Sequence, residues 1–161
     1  MGGISLGAMV ALEAAAGLGA RGVLMIGGCS SHKEISGPFQ LLLALGAAMP
    51  VRALRPSLSL APAAFRLIER LSPAHAALMT RMLKEHPPEQ LQWGCRAILD
   101  WQCCVTHPAV AVHRIHGAAD EVIPPRSIAG QVLVAGGKHL INLSHAAEVN
   151  AFIMSCTGDN D

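Results

Sequence analysis

Apolar positions near the start of the chain predict a buried helix followed by a buried strand. Residues 6–18 are apolar around most of a helical circumference and are rich in Ala, Leu and Met, which favour helices. Gly17 and Gly19 would end this helix. The next apolar run, residues 23–26, is short, continuous and bounded by glycines, a pattern typical of a strand buried on both faces in a parallel sheet.

The rest of the chain predicts a helical insertion and then a return to strands. Helical segments are clearest at residues 63–71, 72–85 and 88–102, and prolines separate them. Ser72 and Pro73 suit the N-cap and the first position of the second segment. Strand character returns at residues 109–116 and 131–135, and residues 144–155 predict a last helix. We therefore predict an α/β chain in which segment 109–116 lies between segments 23–27 and 131–135, all parallel.

A serine flanked by glycines stands directly before the first predicted helix. The stretch Gly3-Ile4-Ser5-Leu6-Gly7 has the G-x-S-x-G spacing of a nucleophile elbow, in which a serine occupies a strained turn between a strand and a helix. A helix that begins there points its N-terminus and the N–H of Leu6 at a developing oxyanion. The alternative is a plain glycine-rich turn, because such a match arises easily by chance.

Two further polar clusters follow predicted strands. Residues 115–124, IHGAADEVIP, place Asp120 at the carboxyl end of a strand, where sites in open α/β sheets lie. Residues 136–140, GGKHL, place His139 after the next strand. The structural alternatives are a loop-capping role for Asp120, with Glu121 as the alternative acid, and a buried core role for His139. We expect His116 to hold the loop that follows it through hydrogen bonds.

In the order Ser5, Asp120, His139, these three clusters resemble the landmarks of the α/β-hydrolase family, whose chain order is nucleophile, acid, histidine. The resemblance implies that Ser5 attacks a carbonyl carbon, that His139 moves its proton and that Asp120 orients the imidazole, with Leu6 in the oxyanion hole. The implied activity is hydrolysis of an acyl ester, or of a related thioester or amide. The alternative is a non-catalytic remnant that acts as a binding or interaction module.

The implied fold is a partial α/β-hydrolase fold of about three parallel strands with a helical cap insertion. Residues 1–31 and 102–161 would form the core, and residues 32–101 the cap. The interval between Asp120 and His139 has scarcely room for the helix that the family usually places there. Five residues of the cap would line a pocket for a small-molecule substrate with an apolar group: Phe39, Leu42, Met49, Phe65 and Trp93.

The resemblance covers essentially all of the chain but only the C-terminal part of the family fold. Met1 and Gly2 alone precede the motif, so the strand that carries the serine and the loop that donates a second oxyanion N–H are expected to be missing, as in a truncated protein. We therefore expect a loose elbow and weak or no hydrolysis by the chain as written. We also expect residues 23–27 to present an unpaired strand edge that promotes self-association.

Composition and charge narrow the partners and the compartment. Lys and Arg number 12 against 11 Asp and Glu, without a basic segment, so nucleic acid is not an expected partner. The five cysteines form no C-x-x-C pair, which favours a reducing, cytoplasmic compartment. The eight histidines show no metal-ligand spacing, so we expect neither a metal nor a cofactor. A membrane hairpin at the apolar N-terminus is disfavoured because Glu13 and several glycines interrupt it.

Overall fold

The computed structural model describes residues 1–102 and 110–158, without the side chain of Ala16, and divides the chain into two compact units. The first unit comprises Met1–Ser36 and Gln102–Asp161, and the second comprises Gly37–Trp101. The first unit contains the sheet and the second is helical. Two of the five cysteines (Cys103 and Cys104), one of the eight histidines (His107) and the first residue of the predicted strand segment 109–116 lie outside the described residues.

A parallel sheet lies at the centre of the first unit. Within the described residues it has four strands, in spatial order β1 (Gly2–Ile4), β2 (Gly22–Ile26), β3 (Ala111–Gly117) and β4 (Val132–Val134). Ile115 of β3 pairs with Ile26 on one side and with Val132 on the other. The predicted parallel arrangement, with segment 109–116 between the other two segments, is therefore confirmed. The sheet has one strand more than the sequence indicated.

The residues ahead of Ser5 form a strand, so the expectation that the strand carrying the serine is missing is wrong, and two further expectations are corrected. β1 pairs in parallel with β2, with Gly2 opposite Leu24 and Ile4 opposite Ile26, and the Ser5 N–H donates to the Ile26 carbonyl at 3.0 Å. The expected unpaired edge at residues 23–27 is wrong, and so is the expected loose elbow. Backbone N–H and C=O groups make these bonds, so even a glycine-rich segment with little strand preference pairs where a neighbour presents complementary groups.

Helices α1 (Leu6–Gly17), α7 (Ile141–Ser144) and α8 (Ala146–Thr157) complete the first unit. α1 contacts β1 and β2, whereas α8 contacts β2 and β3. The core on the α8 side consists of Ile26, Ile115, Val134, Ile141, Val149 and Phe152. Full burial of a large apolar side chain contributes about 1.5–3 kcal/mol, so this core anchors β2, β3 and β4 to α8. The predicted last helix is interrupted at His145, where the backbone leaves the helical conformation.

The second unit consists of five short α-helices among the described residues: α2 (Gly37–Ala48), α3 (Val51–Ser57), α4 (Ala61–Leu67), α5 (Pro73–Glu85) and α6 (Pro88–Asp100). The predicted start of α5 is confirmed, because the Ser72 hydroxyl accepts from the His75 N–H at 3.2 Å. The unit begins at Gly37, beyond the predicted boundary at residue 32. Ser36 belongs to the first unit, where its N–H donates to Val122 and its hydroxyl donates to Glu121.

Candidate active site

Ser5 lies between β1 and α1 in a strained backbone conformation. Its φ is 52°, in the left-handed region that residues other than glycine rarely adopt. Its N–H is bound to β2, and its carbonyl accepts from the N–H groups of Ala8 and Met9 at 3.0 and 3.3 Å as α1 begins. The turn is therefore held from both sides. The N–H of Leu6 belongs to the first turn of α1, where a helix offers no internal acceptor.

Ser5, His139 and Asp120 form a hydrogen-bonded row. The Ser5 Oγ lies 2.9 Å from His139 Nε2, and His139 Nδ1 lies 2.9 Å from Asp120 Oδ2. An ionised carboxylate only accepts, so Nδ1 carries the proton and Nε2 is left to accept from the serine hydroxyl. The structure thus brings together the three residues that the motifs singled out.

Asp120 is a buried carboxylate that accepts four hydrogen bonds. Its Oδ1 accepts from the N–H groups of Val122 and Ile123 at 2.8 and 2.9 Å. Its Oδ2 lies 2.9 Å from His139 Nδ1 and 3.0 Å from His116 Nε2. Burial by itself raises the pKa of Asp120, but hydrogen bonds from the two histidines outweigh it and hold this pKa well below its usual range. Asp120 is therefore ionised at neutral pH.

His116 makes one predicted contact and one that the sequence did not indicate. The predicted bond to the following loop is confirmed, since Nε2 lies 2.7 Å from the carbonyl oxygen of Ile123. The contact of the same nitrogen with Asp120 was not predicted. Its signal in the sequence is the H-G-A-A-D spacing, which brings the first and last residues together only if the loop turns tightly.

Glu121, the alternative acid, faces a different partner. Its side chain is 67% exposed, and its Oε1 lies 3.0 Å from Lys138 Nζ. The Lys138 side chain is 10% exposed. Asp120 and Glu121 on one loop therefore meet His139 and Lys138, respectively, on the other, so that two consecutive pairs join the loops.

A glycine allows these two loops to approach closely. The Ala119 N–H donates to the Gly137 carbonyl at 2.8 Å. A Cβ built on Gly117 would overlap the carbonyl oxygens of Gly137 and Lys138. Position 117 therefore has no room for a side chain, and this close approach brings the loop of Asp120 next to the loop of His139.

The two glycines of the elbow motif are predicted to differ in their tolerance of alanine. A Cβ on Gly3 would overlap the Gly7 carbonyl and lie 2.7 Å from the Ala8 nitrogen, so Gly3→Ala forces the backbone apart. A Cβ on Gly7 meets no described atom within 4 Å, and alanine favours helices by roughly 1 kcal/mol over glycine. We expect thermal unfolding to show a lower Tm for Gly3→Ala and an equal or higher Tm for Gly7→Ala. Equal destabilisation by both substitutions would contradict this packing.

The Asp120 carboxylate is predicted to make stability depend on pH. Its pKa is lower in the folded chain than in the unfolded one, so its contribution is present above about pH 4 and is lost as pH falls. The pKa of His116 is raised, because its bonds to Asp120 and Ile123 outweigh burial, so its contribution is lost as pH rises above about 6.5.

We expect the difference in Tm between the natural chain and Asp120→Asn to shrink below about pH 4, where this carboxylate is protonated in the unfolded chain but still ionised in the folded one. Thermal unfolding from pH 3 to pH 7 tests this directly. Glu121→Gln is the control, since its carboxylate is exposed. A difference for Asp120→Asn that stays constant over the whole range would show that its folded-state protonation has been misjudged.

The five residues predicted to line a substrate pocket all belong to the helical unit. Phe39 and Leu42 lie on α2, Met49 follows it, Phe65 lies on α4 and Trp93 lies on α6. The side chains of Leu42 and Trp93 are 58% and 64% exposed, and the other three are half-buried. Their role in holding a substrate stays a prediction.

Other chemically active groups lie outside the hydrogen-bonded row. Cys29 follows β2, and burial raises its pKa to about 11, so its thiol stays neutral.

Across residues 1–102 and 110–158, no three His, Cys, Asp or Glu side chains gather as a metal ion would require. None of the helices in those ranges combines the length and the apolar character needed to cross a membrane.

The sequence matches no protein-family model and no curated protein, but several solved structures share its fold. A hydrolase from Pseudomonas aeruginosa is 20% identical with a TM-score of 0.66, and the match covers 96% of this chain and 62% of that one. An esterase from Exiguobacterium antarcticum is 14% identical with a TM-score of 0.65, covering 96% and 65%. A protein of the α/β-hydrolase fold from Burkholderia ambifaria is 14% identical with a TM-score of 0.51, covering 96% and 64%.

The chain spans less than two thirds of the length of each of these structures. At such low identity, the likeness concerns the fold. It rests on the parallel sheet and the helices around it, which match over nearly the whole described chain. This chain therefore has a partial α/β-hydrolase fold.

Proposed function

We propose that this chain carries the catalytic site of a serine hydrolase that cleaves acyl esters, or related thioesters or amides. The main support is the row of hydrogen bonds from Ser5 Oγ through His139 to Asp120, with 2.9 Å at each step. The strained turn at Ser5 adds to it, since a nucleophile elbow requires such a backbone. Structures with the same fold include a hydrolase and an esterase, in agreement with this proposal.

In the first half of the reaction, Ser5 is acylated. Its Oγ attacks the carbonyl carbon of the substrate while His139 Nε2 takes the hydroxyl proton. The carbonyl π electrons move to oxygen, and the N–H of Leu6 at the start of α1 stabilises that oxyanion. The tetrahedral intermediate then collapses, the bond to the leaving group breaks, and the imidazolium returns the proton to the departing alcohol. Asp120 stabilises the imidazolium through Nδ1.

In the second half, water releases the acyl group. His139 Nε2 takes a proton from water, whose oxygen attacks the acyl carbon, and a second oxyanion forms in the same place. Collapse of this intermediate breaks the bond to Ser5 Oγ, which recovers its proton from His139. The products are a carboxylic acid and the original serine, so the cycle needs neither a metal nor a cofactor.

We propose the helical unit as a cap whose apolar side chains contact the substrate's apolar group. This role rests on the apolar character of Phe39, Leu42, Met49, Phe65 and Trp93. The contribution of these side chains is measured as the rate of hydrolysis of a series of nitrophenyl esters with acyl chains of increasing length. A preference for longer chains that weakens in Trp93→Ala would support the cap role, whereas an equal response to all lengths would contradict it.

The direct test of the hydrolase proposal is covalent labelling of the folded chain by a fluorophosphonate, followed by mass spectrometry of its peptides. The Ser5 turn is held from both sides, which removes one of the two reasons to expect weak hydrolysis. We therefore expect the label on Ser5 alone among the serines, together with measurable hydrolysis of short-chain nitrophenyl esters. A folded chain that takes no label and hydrolyses none of these esters would instead support the alternative of a non-catalytic binding or interaction module.

A further inference from the structure

We propose that His116 is a positioning residue for Asp120: its Nε2–H, shared between Asp120 Oδ2 and the Ile123 carbonyl, holds the carboxylate at the angle from which it accepts the proton of His139. The inference rests on the proposed hydrolase function for its catalytic consequence. The structural part of the inference, that His116 holds the Asp120 carboxylate in place, does not depend on any catalytic activity.

The protonation of His116 follows from its neighbours. Nε2 lies 2.7 Å from the carbonyl oxygen of Ile123 and 3.0 Å from Asp120 Oδ2. A carbonyl and an ionised carboxylate both accept hydrogen bonds, so a bare Nε2 would place its lone pair against two acceptors. Nε2 must therefore carry a hydrogen. The ring is 5% exposed, so water cannot easily replace it as the donor.

The carboxylate of Asp120 is thereby held at both oxygens. Val122 and Ile123 fix Oδ1 through their N–H groups. Without the ring of His116, Oδ2 would have one donor among the described residues, His139. A single bond restrains the carboxylate and the imidazole only relative to each other, whereas a second donor from β3 fixes Oδ2 relative to the sheet. The direction in which His139 presents Nε2 to Ser5 then depends on His116.

The same contact affects the strength with which Asp120 holds the proton of His139. A donor on Oδ2 draws electron density from the carboxylate, so its removal leaves a stronger acceptor facing His139. His139 must be neutral at Nε2 to take the proton of Ser5. Loss of His116 should therefore move the acidic limb of the pH-rate profile to higher pH, and it should also lower the plateau rate because the row is less well aligned.

The test compares His116→Met with His116→Gln. The two side chains are similar in length, but only the glutamine amide can donate to both acceptors. His113→Met is the matched control, since His113 lies on the same strand and is exposed. Outer hydrogen-bond partners of metal-bound histidines and carboxylates typically contribute 10- to 100-fold, and by analogy we expect about tenfold lower kcat for His116→Met with little change in KM. We expect most of the loss to be recovered in His116→Gln and no loss in His113→Met.

Two magnetic resonance measurements keep the proposal testable without activity. In the natural chain with ¹⁵N-labelled histidine, Nε2 of His116 should be protonated. The low-field proton on His139 Nδ1, identified by its loss in Asp120→Asn, should shift in His116→Met and stay near its original position in His116→Gln. An unprotonated Nε2, or a resonance and an acidic limb that do not move in His116→Met, would overturn the proposal.

The two proposals fail in different ways. If Ser5 takes no fluorophosphonate label while the resonances behave as expected, the hydrolase function is wrong and His116 still positions Asp120. If Ser5 is labelled but His116→Met and His116→Gln lose the same activity, His116 has a general packing role and the present inference is wrong. If His116→Met fails to fold, the ¹⁵N measurement on the natural chain and the His116→Gln variant decide the question.

Discussion

Replacing Ser5 by alanine is expected to lower ester turnover by at least about 10³-fold and to abolish fluorophosphonate labelling, because loss of a triad member removes the nucleophile and leaves only oxyanion stabilisation and binding. The other members of the row stay in place, because Asp120 and its backbone donors hold His139 without the Ser5 hydroxyl. Steady-state kinetics with a nitrophenyl ester measure the effect. Substrate binding, followed through KM or a non-hydrolysable analogue, should change little.

The matched control for this variant is Ser31→Ala. Ser31 follows β2, and its hydroxyl accepts from the Lys33 N–H at 3.3 Å, so it caps the short 3-10 helix His32–Glu34. Loss of such a cap costs about 1 kcal/mol of stability and leaves the row intact. We expect normal labelling in Ser31→Ala. Turnover by Ser5→Ala within tenfold of the natural chain would rule out Ser5 as the nucleophile.

Replacing Asp120 by asparagine is expected to lower kcat by about 10⁴-fold, as a wrong histidine tautomer does in such triads. The reason lies in the four donors around the carboxylate. Two backbone N–H groups, from Val122 and Ile123, require an acceptor at the Oδ1 position, so the amide oxygen must stay there. The amide NH₂ then faces His139 Nδ1, which must give up its proton and carry it on Nε2 instead. A protonated Nε2 cannot accept from Ser5.

Glu121→Gln is the control for Asp120→Asn, because it neutralises the next carboxylate along the same loop. Glu121 is exposed and pairs with Lys138, and the amide oxygen of a glutamine in its place can still accept a hydrogen bond from the Lys138 ammonium group. We expect activity within a few-fold of the natural chain, measured as kcat at neutral pH. If Glu121→Gln lost as much activity as Asp120→Asn, the assignment of the acid would pass to Glu121.

The predictions for Ser5 and Asp120 both depend on contact between the loop of Asp120 and the loop of His139. No single segment of the sequence encodes that contact. Asp120 and His139 follow different strands, β3 and β4, and parallel pairing of those strands brings both loops to the same edge of the sheet. Gly117 then permits the loops to touch. The residues were recognisable from their motifs, whereas their distances follow from strand pairing.

Local patterns were sufficient to predict most helices and the three longer or more apolar strand segments. The continuous apolar run in β2, the apolar circumference of α1 and the Ser72-Pro73 start of α5 each express a preference that nearby residues set. The absence of a helix between β3 and β4, within the described residues 118–131, also follows from local sequence because the interval is short. The sequence pattern did not predict the break at His145, because the residues on both sides favour a helix.

The strand β1 was missed because its formation depends on a partner. Gly2 and Gly3 have little preference for a strand, and they join the sheet because β2 offers N–H and C=O groups at the matching spacing. The boundary at Ser36 has the same origin, since its hydrogen bonds reach Glu121 and Val122, far along the chain.

The amino-acid sequence was enough to identify the candidate reacting groups and their order along the chain: a serine at a glycine-rich turn before a helix, then a carboxylate and a histidine, each after a strand. The partners of each group follow from the packing of the folded chain. Asp120 rather than Glu121 lies against His139, and His116 shares the same carboxylate oxygen. A residue's chemistry is a property of its side chain, but a hydrogen bond requires two groups within about 3 Å, and for groups distant in sequence only the packed fold sets that distance.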